Sequence, residues 1–409
     1  MSFEKLSSTE LAGLVTRVFA PAPDERRLLV FIDLPDEHLA DHPAWSERRT
    51  MAQQWARTLE ADRAEHGFST SLVVYPNVRA NNADLPQTVW AFTADAVIPD
   101  HAAALDPSTR QSLADILGQR PLILAPTELS ATAPLKMLAR EHGFRAATMP
   151  GFSAAMIPAL RLDYGEVNRR VERFKEELDR AERAEILFRV AGAGEQRLTL
   201  DLRHRLAHAS GGLLHTPGTA GNLPSGEAYI VPYEGEIVGD SSGSEGALPV
   251  QLDGEVVVYE IRGNRAVSVQ GSGPVAQREA ELIVREPAYA NLAELGLGVL
   301  GALGVKPVGE VLLDEKLGLH IAFGRSEHFG GTVAPSDFSG PEAVTHQDRV
   351  YLPEIQPDVE PVEMTLYGDD GSAVALIAAG AWAYPFCFSR PGRRSAGRTE
   401  RSRPRPQAG

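Results

Sequence analysis

A histidine and an aspartate stand two residues apart in the segment 345–352, which reads Thr-His-Gln-Asp-Arg-Val-Tyr-Leu. Its apolar end is typical of a β-strand, and residues two apart on a strand point to the same face. His346 and Asp348 would therefore project together. An imidazole nitrogen and a carboxylate oxygen suit a divalent transition metal. Taken alone, the motif is weak, because it occurs by chance and a surface pair is its usual explanation.

A second histidine, His320, lies between apolar residues. A histidine in such a setting is commonly a hydrogen-bonded core residue. The Asp-Glu-Lys run at 314–316, just before it, instead suggests the wall of a site. The glycine pair at 330–331 allows a tight turn, which could bring Glu327 or His328 back to that site.

Two glutamates extend the set of candidate ligands. Glu227 ends the turn-rich segment 221–227 and begins the predicted strand 228–231, so it is either a ligand at a strand edge or an ordinary turn residue. Glu294 has leucines on both sides. A buried carboxylate is costly unless it finds a cation or a hydrogen-bond partner, and Glu294 is therefore a candidate ligand.

Taken in order, these segments resemble the M29 family of metallo-aminopeptidases, the thermophilic aminopeptidase group. The shared pattern consists of Asn-x-Pro-x-Gly-Glu, a Glu-x-x-x-Gly-like segment, Asp-Glu-Lys running into His-x-Ala, a Gly-Gly turn and His-x-Asp, all between 221 and 348. The resemblance covers residues 145–385 well and the preceding residues loosely. Each piece is weak alone, and their combination is specific.

The resemblance implies a paired divalent metal site that activates a water and holds the free α-amine of a peptide or amino-acid amide. The ions would be zinc, cobalt or manganese, and the protein would be a homodimer. The positions that match the family's ligands are Glu227, Glu294, His320, His346 and Asp348.

One departure from the family pattern concerns catalysis. The family carries a catalytic tyrosine shortly after the position of His320, whereas this chain reads Ser-Glu-His-Phe at 326–329. We predict that Glu327 or His328 replaces it as an extra ligand or proton carrier. Otherwise the peptidase activity is altered or lost.

Two other functions compete with a hydrolase. The ring-cleaving dihydroxypyridine dioxygenases are similar in fold, and His320, His346 and Asp348 could form a two-histidine-one-carboxylate iron site. Glu294 argues against this reading, because that branch is expected to carry histidine there. A metal-binding protein without catalysis is the third possibility, since fold alone does not decide function.

The elements that must position these residues fall into two predicted domains. Residues 1–160 alternate short apolar strands with helical patterns, which predicts an α/β layer with a mostly parallel sheet. Residues 161–388 are predicted to form an α+β domain that carries the metal site. It begins with a helix over 163–185, in which apolar residues recur every three to four positions after Asp163.

Two local patterns follow in the second part. The Gly-Asn pair at 263–264 predicts a hairpin between strands at 256–261 and 266–269. Residues 389–409 contain seven arginines and three prolines and are predicted to be a disordered basic tail, because they have too few apolar side chains to fold.

Composition narrows the classes of partner. The net charge of −15 disfavours nucleic acid and anionic membranes, because like charges repel. The single cysteine, Cys387, excludes an internal disulfide and suggests a reducing compartment. The chain also contains no apolar run of about 18 residues, so we expect no membrane span and a cytoplasmic protein.

Overall fold

The computed structural model describes residues 4–383. Its longer helices carry apolar side chains at helical spacing, as in the first one, where a capping box formed by Ser7 and Glu10 closes the N-terminus. The helices are α1 (Ser8–Phe19), α2 (Pro43–Ala61), α3 (Arg63–His66), α4 (Leu113–Leu117), α5 (Thr132–His142), α6 (Ile157–Leu160), α7 (Tyr164–Arg180), α8 (Pro274–Arg285) and α9 (Val311–Asp314).

The strands form three sheets. They are β1 (Arg27–Leu34), β2 (Ser69–Pro76), β3 (Thr88–Thr93), β4 (Gln111–Ser112), β5 (Leu122–Ala125), β6 (Arg145–Thr148), β7 (Ala181–Val190), β8 (Gly194–Asp201), β9 (His208–Ser210), β10 (Ala220–Asn222), β11 (Glu227–Ile230), β12 (Glu245–Leu252), β13 (Glu255–Arg262), β14 (Arg265–Gln270), β15 (Leu292–Gly298), β16 (Leu319–Gly324), β17 (His346–Val350), β18 (Val359–Gly368), β19 (Ala373–Ala378) and β20 (Ala381–Trp382).

The first sheet has the order β10-β6-β5-β1-β2-β3-β4. The strands from β10 to β2 pair in parallel, and β3 and β4 pair antiparallel. In β1, Leu29 and Phe31 enter one apolar core with α5, while Val30 and Ile32 enter another with α2. Because both faces are covered, the strand reads as a continuous apolar run. The predicted α/β layer with a mostly parallel sheet is confirmed.

The second part of the chain is built on two antiparallel sheets. One has the order β17-β16-β15-β11-β9 and the other β14-β13-β12-β8-β7-β18-β19-β20. The second part also extends the first sheet, since β10 pairs with β6. The predicted α+β character of this part is confirmed, whereas the domain boundary near residue 160 stays a prediction.

Helix α7 ends earlier than the sequence pattern predicts. Asp163 is its N-cap, and its carboxylate accepts hydrogen bonds from the backbone N–H groups of Gly165 and Glu166. The helix stops at Arg180, and β7 begins at the next residue, so the helix prediction for 181–185 is wrong. From Ala184 onward the buried positions recur every second residue, which is the period of a strand.

The predicted hairpin is confirmed: β13 and β14 are antiparallel, and Gly263 and Asn264 at its turn have φ of 55° and 66°. Within the described part of the chain, no helix combines the length and the apolar character needed to cross a membrane. The predicted tail over 389–409 lies outside the described residues.

Candidate metal centre

The predicted ligands lie on neighbouring strands of the five-stranded sheet. Its three central strands, β11, β15 and β16, are buried along most of their length, and one face of the sheet packs apolar residues such as Ala228 and Leu295 into the main core. Side chains alternate along a strand, so the residues between these core positions share the opposite face. That face carries all five predicted ligands: Glu227 on β11, Glu294 on β15, His320 on β16, and His346 and Asp348 on β17.

Glu294 lies between two histidines. His320 Nε2 is 3.2 Å from Glu294 Oε1, and His346 Nε2 is 3.1 Å from Glu294 Oε2. Two groups of possible ligand atoms result, each with its atoms within 4.8 Å of one another, and Glu294 belongs to both. The first group adds Glu227 and His320, and the second adds His346 and Asp348.

One carboxylate oxygen of Glu227 and one of Asp348 have no hydrogen-bond donor. Glu227 Oε2 is 3.5 Å from His320 Nε2, and Asp348 Oδ1 is 3.7 Å from His346 Nε2. Both oxygens are buried and neither accepts a hydrogen bond. Buried acceptors normally have a partner, and a buried charge needs a counter-charge. Two carboxylate oxygens aimed at imidazole nitrogens therefore fit divalent cations.

The charged groups of the site shift one another's pKa values strongly. Burial alone would lower the pKa of His320, but the carboxylates of Glu294 and Glu227 raise it to about 9. Burial would likewise raise the pKa of Glu294, yet hydrogen bonds from His320 and His346 lower it to about 2. In the metal-free protein, Glu294 is thus ionised and favours a proton on each of the two histidines beside it. A metal would have to displace those protons.

Lys316 closes one side of the cluster. Its buried ammonium donates to Glu227 Oε1 at 2.5 Å and also to Glu315. Burial and the charge of Glu227 raise the pKa of Glu315 to about 8, although Lys316 opposes the shift. Asp314 instead accepts the backbone N–H groups of Val308 and Gly309, so only the last two residues of the Asp-Glu-Lys run face the site.

Gly296 makes room for a histidine. It pairs directly with His320 across β15 and β16. A Cβ at Gly296 would lie 1.9 Å from His320 Nε2, well inside van der Waals contact. The glycine therefore lets the imidazole lie flat over the sheet, between Glu294 and Glu227.

The two predicted catalytic residues are placed differently. Glu327 is turned to Arg325, whose Nε donates to its Oε2 at 2.8 Å. The His328 ring is 5.6 Å from the ring of His346 and lines the same cavity as Glu294. Burial and the charge of His346 lower the pKa of His328 to about 4, so this imidazole is neutral at pH 7.

The loop that carries these two residues is anchored by Glu234, which the sequence interpretation missed. One carboxylate oxygen accepts Ser326 Oγ and Asn291 Nδ2 at 2.5 and 2.7 Å, and the other accepts Thr332 N at 2.5 Å. Behind it, Arg205 Nη2 lies 3.5 Å from Glu234 Oε2. The position of His328 is thus set by a buried carboxylate distant in sequence.

A cavity of about 360 Å³ is lined by three of the candidate ligands, Glu227, Glu294 and His346. One wall comes from the first part of the chain, with Ser130 just before α5 and Lys136 within it, and another is aromatic, with Tyr229 and Phe329. A larger cleft of about 1170 Å³ adjoins it and shares His328 and other lining residues. Tyr229 is a second residue that the sequence interpretation missed, although its spacing of two from Glu227 is a usable signal.

Comparison with known proteins finds similarity in structure only. No protein-family model matches the chain, and no curated protein matches it. The fold is similar to 2,5-dihydroxypyridine dioxygenase from Pseudomonas putida KT2440, with a TM-score of 0.56 and 16% identity over 93% of this chain and 99% of the other. It is also similar to wild-type AmpT from Thermus thermophilus, an M29 aminopeptidase, with a TM-score of 0.50 and 16% identity over 91% and 99%. The predicted resemblance to the M29 aminopeptidases is therefore confirmed as a likeness of fold.

Proposed function

We propose that this protein is a metal-dependent amide hydrolase that releases N-terminal amino acids from peptides or amino-acid amides. The observation that carries the proposal is the position of Glu294, whose two oxygens face two different histidines. A carboxylate shared between two ligand groups is an arrangement that suits a two-metal hydrolytic site.

Each of the two ions would have its own ligands. Glu227 and His320 would hold one, His346 and Asp348 the other, and Glu294 would bridge them. Three carboxylates balance most of the charge of two divalent cations such as zinc, cobalt or manganese. Bound there, such ions supply an acidified water and polarise a carbonyl group.

Residues of the chain would bind the substrate and transfer a proton from the water to the leaving amine. The cavity is lined by three of the candidate ligands, Glu227, Glu294 and His346, and its aromatic wall can hold an apolar side chain. His328 lies beside His346 in the wall of the same cavity, so it would be placed to carry a proton between the water and the leaving amine. Glu327, paired with Arg325, would support this loop rather than take the proton.

A mononuclear iron dioxygenase is the second candidate, and the similarity to the dihydroxypyridine dioxygenase favours it. The ligand geometry opposes it. Among the described residues, His320 and His346 fall into separate ligand groups, each completed by Glu294. A single iron would need both histidines and Asp348 around one point. A metal-binding homologue without catalysis is the remaining alternative, and the homodimer stays a prediction.

Hydrolysis of an aminoacyl p-nitroanilide tests the proposal. Protein stripped by a chelator should be inactive and should regain turnover with cobalt, zinc or manganese, because the metal supplies the acidified water. The same preparations should be offered a dihydroxypyridine with an oxygen electrode in the cell. Oxygen uptake that needs ferrous iron, together with no amide hydrolysis, would overturn the hydrolase in favour of the dioxygenase.

A further inference from the structure

Tyr229 occupies a place beside the metal cluster that the proposed mechanism has not used. It lies two residues after Glu227 on β11, so both side chains share the face that carries the ligands. Across the sheet, Tyr229 pairs with Gly296, and Gly296 pairs with His320. Cross-strand neighbours are normally about 5 Å apart at Cβ. Because Gly296 lies between them in the cross-strand register and has no side chain, no side chain separates the ring of Tyr229 from the imidazole of His320.

The ring of Tyr229 is held from two sides. It stacks on His208, with ring centroids 5.2 Å apart and an interplanar angle of 22°, and it meets the edge of Phe329 at 4.8 Å. These two neighbours are themselves joined, since His208 Nε2 lies 2.9 Å from the carbonyl oxygen of Phe329. The orientation of the phenol is therefore set before any substrate binds. Less side-chain entropy is then lost when the phenol contacts a substrate.

The hydroxyl of Tyr229 has no protein partner. Tyr259, Tyr289 and Tyr351 are fully buried, and each of their hydroxyls donates to an oxygen at 2.9 Å. Among residues 4–383, Tyr229 makes no such bond, although its side chain lines the cavity above Glu227 and Glu294. Tyr229 is half-buried in the wall of the cavity, where a tyrosine can pack its ring and still offer its hydroxyl to a bound molecule. An unpaired donor facing this cavity points to a partner that arrives with the substrate.

We propose that Tyr229 is a catalytic residue whose hydroxyl donates a hydrogen bond to the carbonyl oxygen of the scissile amide. In the reaction, a water oxygen bonds to the carbonyl carbon while the π electron pair moves onto the carbonyl oxygen, which is the atom that the phenol contacts. When the C=O bond re-forms, the C–N bond breaks, and the amine leaves with a proton that came from the water. Tyr229 keeps its own proton throughout. The inference rests on the proposed function.

The electrostatic consequence is specific to the transition state. A donor aimed at an oxygen that gains charge stabilises the transition state more than the substrate, and removing one such donor lowers kcat by about 10²- to 10³-fold. A tyrosine that only filled the wall of the cavity would lose nothing on conversion to phenylalanine, because the ring and its stacking remain.

The test compares Tyr229→Phe with Tyr367→Phe. Tyr367 is a half-buried tyrosine on β18 of the eight-stranded sheet, where it packs under Arg183. In metal-loaded protein, Tyr229→Phe should lower kcat by about 10²-fold while KM, metal content and Tm stay at wild-type values. Tyr367→Phe should change none of these quantities.

A binding measurement separates this role from a structural one. Calorimetry with the phosphonic acid analogue of leucine, a tetrahedral mimic, and with leucine itself should show at least about a 10-fold loss of affinity for the mimic in Tyr229→Phe and no loss for leucine. A kcat within about threefold of wild type would overturn the inference, as would a drop in metal content or Tm that accounts for the lost rate. If wild-type protein hydrolyses no aminoacyl substrate, the proposed function itself fails, and Tyr229 loses its role with it.

Discussion

Two buried polar clusters in the second part of the chain differ in whether protein donors satisfy their carboxylate oxygens. Around Glu279, the hydroxyls of Tyr259 and Tyr289 donate to Oε2 at 2.9 Å each, and Arg278 Nε donates to Oε1 at 3.2 Å. Both oxygens of this carboxylate are used by the protein. Its neighbour Arg349 has an unpaired Nε, but that atom is a donor and cannot bind a cation.

In the candidate metal centre, the atoms that lack a hydrogen-bond partner are acceptors rather than donors. Glu227 Oε2 and Asp348 Oδ1 are buried acceptors without donors, and the pKa values of the histidines beside them are raised in the metal-free protein. A buried network that satisfies itself stabilises the fold, whereas one with spare acceptors is open to a cation. The comparison predicts that the Glu279 cluster supports stability and that the Glu294 cluster supports metal binding and turnover.

The largest effect is expected for Asp348→Asn. The amide removes the negative charge and offers a poorer ligand, so metal should be lost and turnover should fall at least about 10³-fold. The measurement is kcat/KM together with elemental analysis. Glu279→Gln is the matched control, a buried carboxylate neutralised in the same way, and it should keep its metal and most of its rate. Equal losses in the two variants would remove the distinction between the clusters.

Gly296→Ala should have an intermediate effect. The new methyl group would meet the imidazole of His320 and push it away from Glu294, without changing any ligand. We expect metal affinity to fall by about 10- to 100-fold, as for other groups that orient a ligand. A chelator competition titration measures it. Gly13→Ala in α1 is the control, because its Cβ would meet only the flexible end of Arg17. Wild-type affinity in Gly296→Ala would contradict the packing argument.

Glu279→Gln should instead reduce stability. The two tyrosine hydroxyls and the arginine would lose a charged acceptor, and we expect the free energy of unfolding to drop by about 1–3 kcal/mol. Denaturant unfolding of the metal-free proteins gives this value directly. An unchanged midpoint would show that the closed cluster contributes nothing measurable to the fold.

The smallest effect is a pH dependence of the metal-free protein. The pKa of His320 is raised to about 9 in the fold, above its usual value near 6.5. Its proton therefore stabilises the fold fully below pH 6.5, and this contribution is lost as the pH rises through about 9. The Tm of chelated protein should fall over this range, and that of metal-loaded protein should change less, because metal replaces the proton. Parallel curves would argue against metal binding at His320.

Much of this organisation could be predicted from the sequence because the signals are local. The apolar run of β1 and the Gly-Asn turn of the β13–β14 hairpin depend on a few adjacent residues. The ligands could be proposed because each lies in a short segment whose order along the chain resembles a family. Whether they act as ligands stays a prediction, although the sheet brings all five together.

Other features could not be predicted because they depend on strand register and tertiary packing, which a short stretch of sequence does not determine. The pairing of Lys316 with Glu227 and the anchoring of the 326–332 loop by Glu234 join residues about 90 positions apart. Strand β10 is three residues long and pairs with a sheet from the other part of the chain. The sequence pattern extends α7 beyond its true end because charged residues continue across Arg180, while the change of period becomes visible only from Ala184 onward.

The stoichiometry of bound metal tests the central claim most directly. Purified wild-type protein, loaded with zinc or cobalt and desalted, should contain about two ions per chain, because two ligand groups are present. Glu294→Gln removes the shared carboxylate and should retain about one. A single ion in wild type that Glu294→Gln leaves in place would contradict the account, since Glu294 would then bridge nothing.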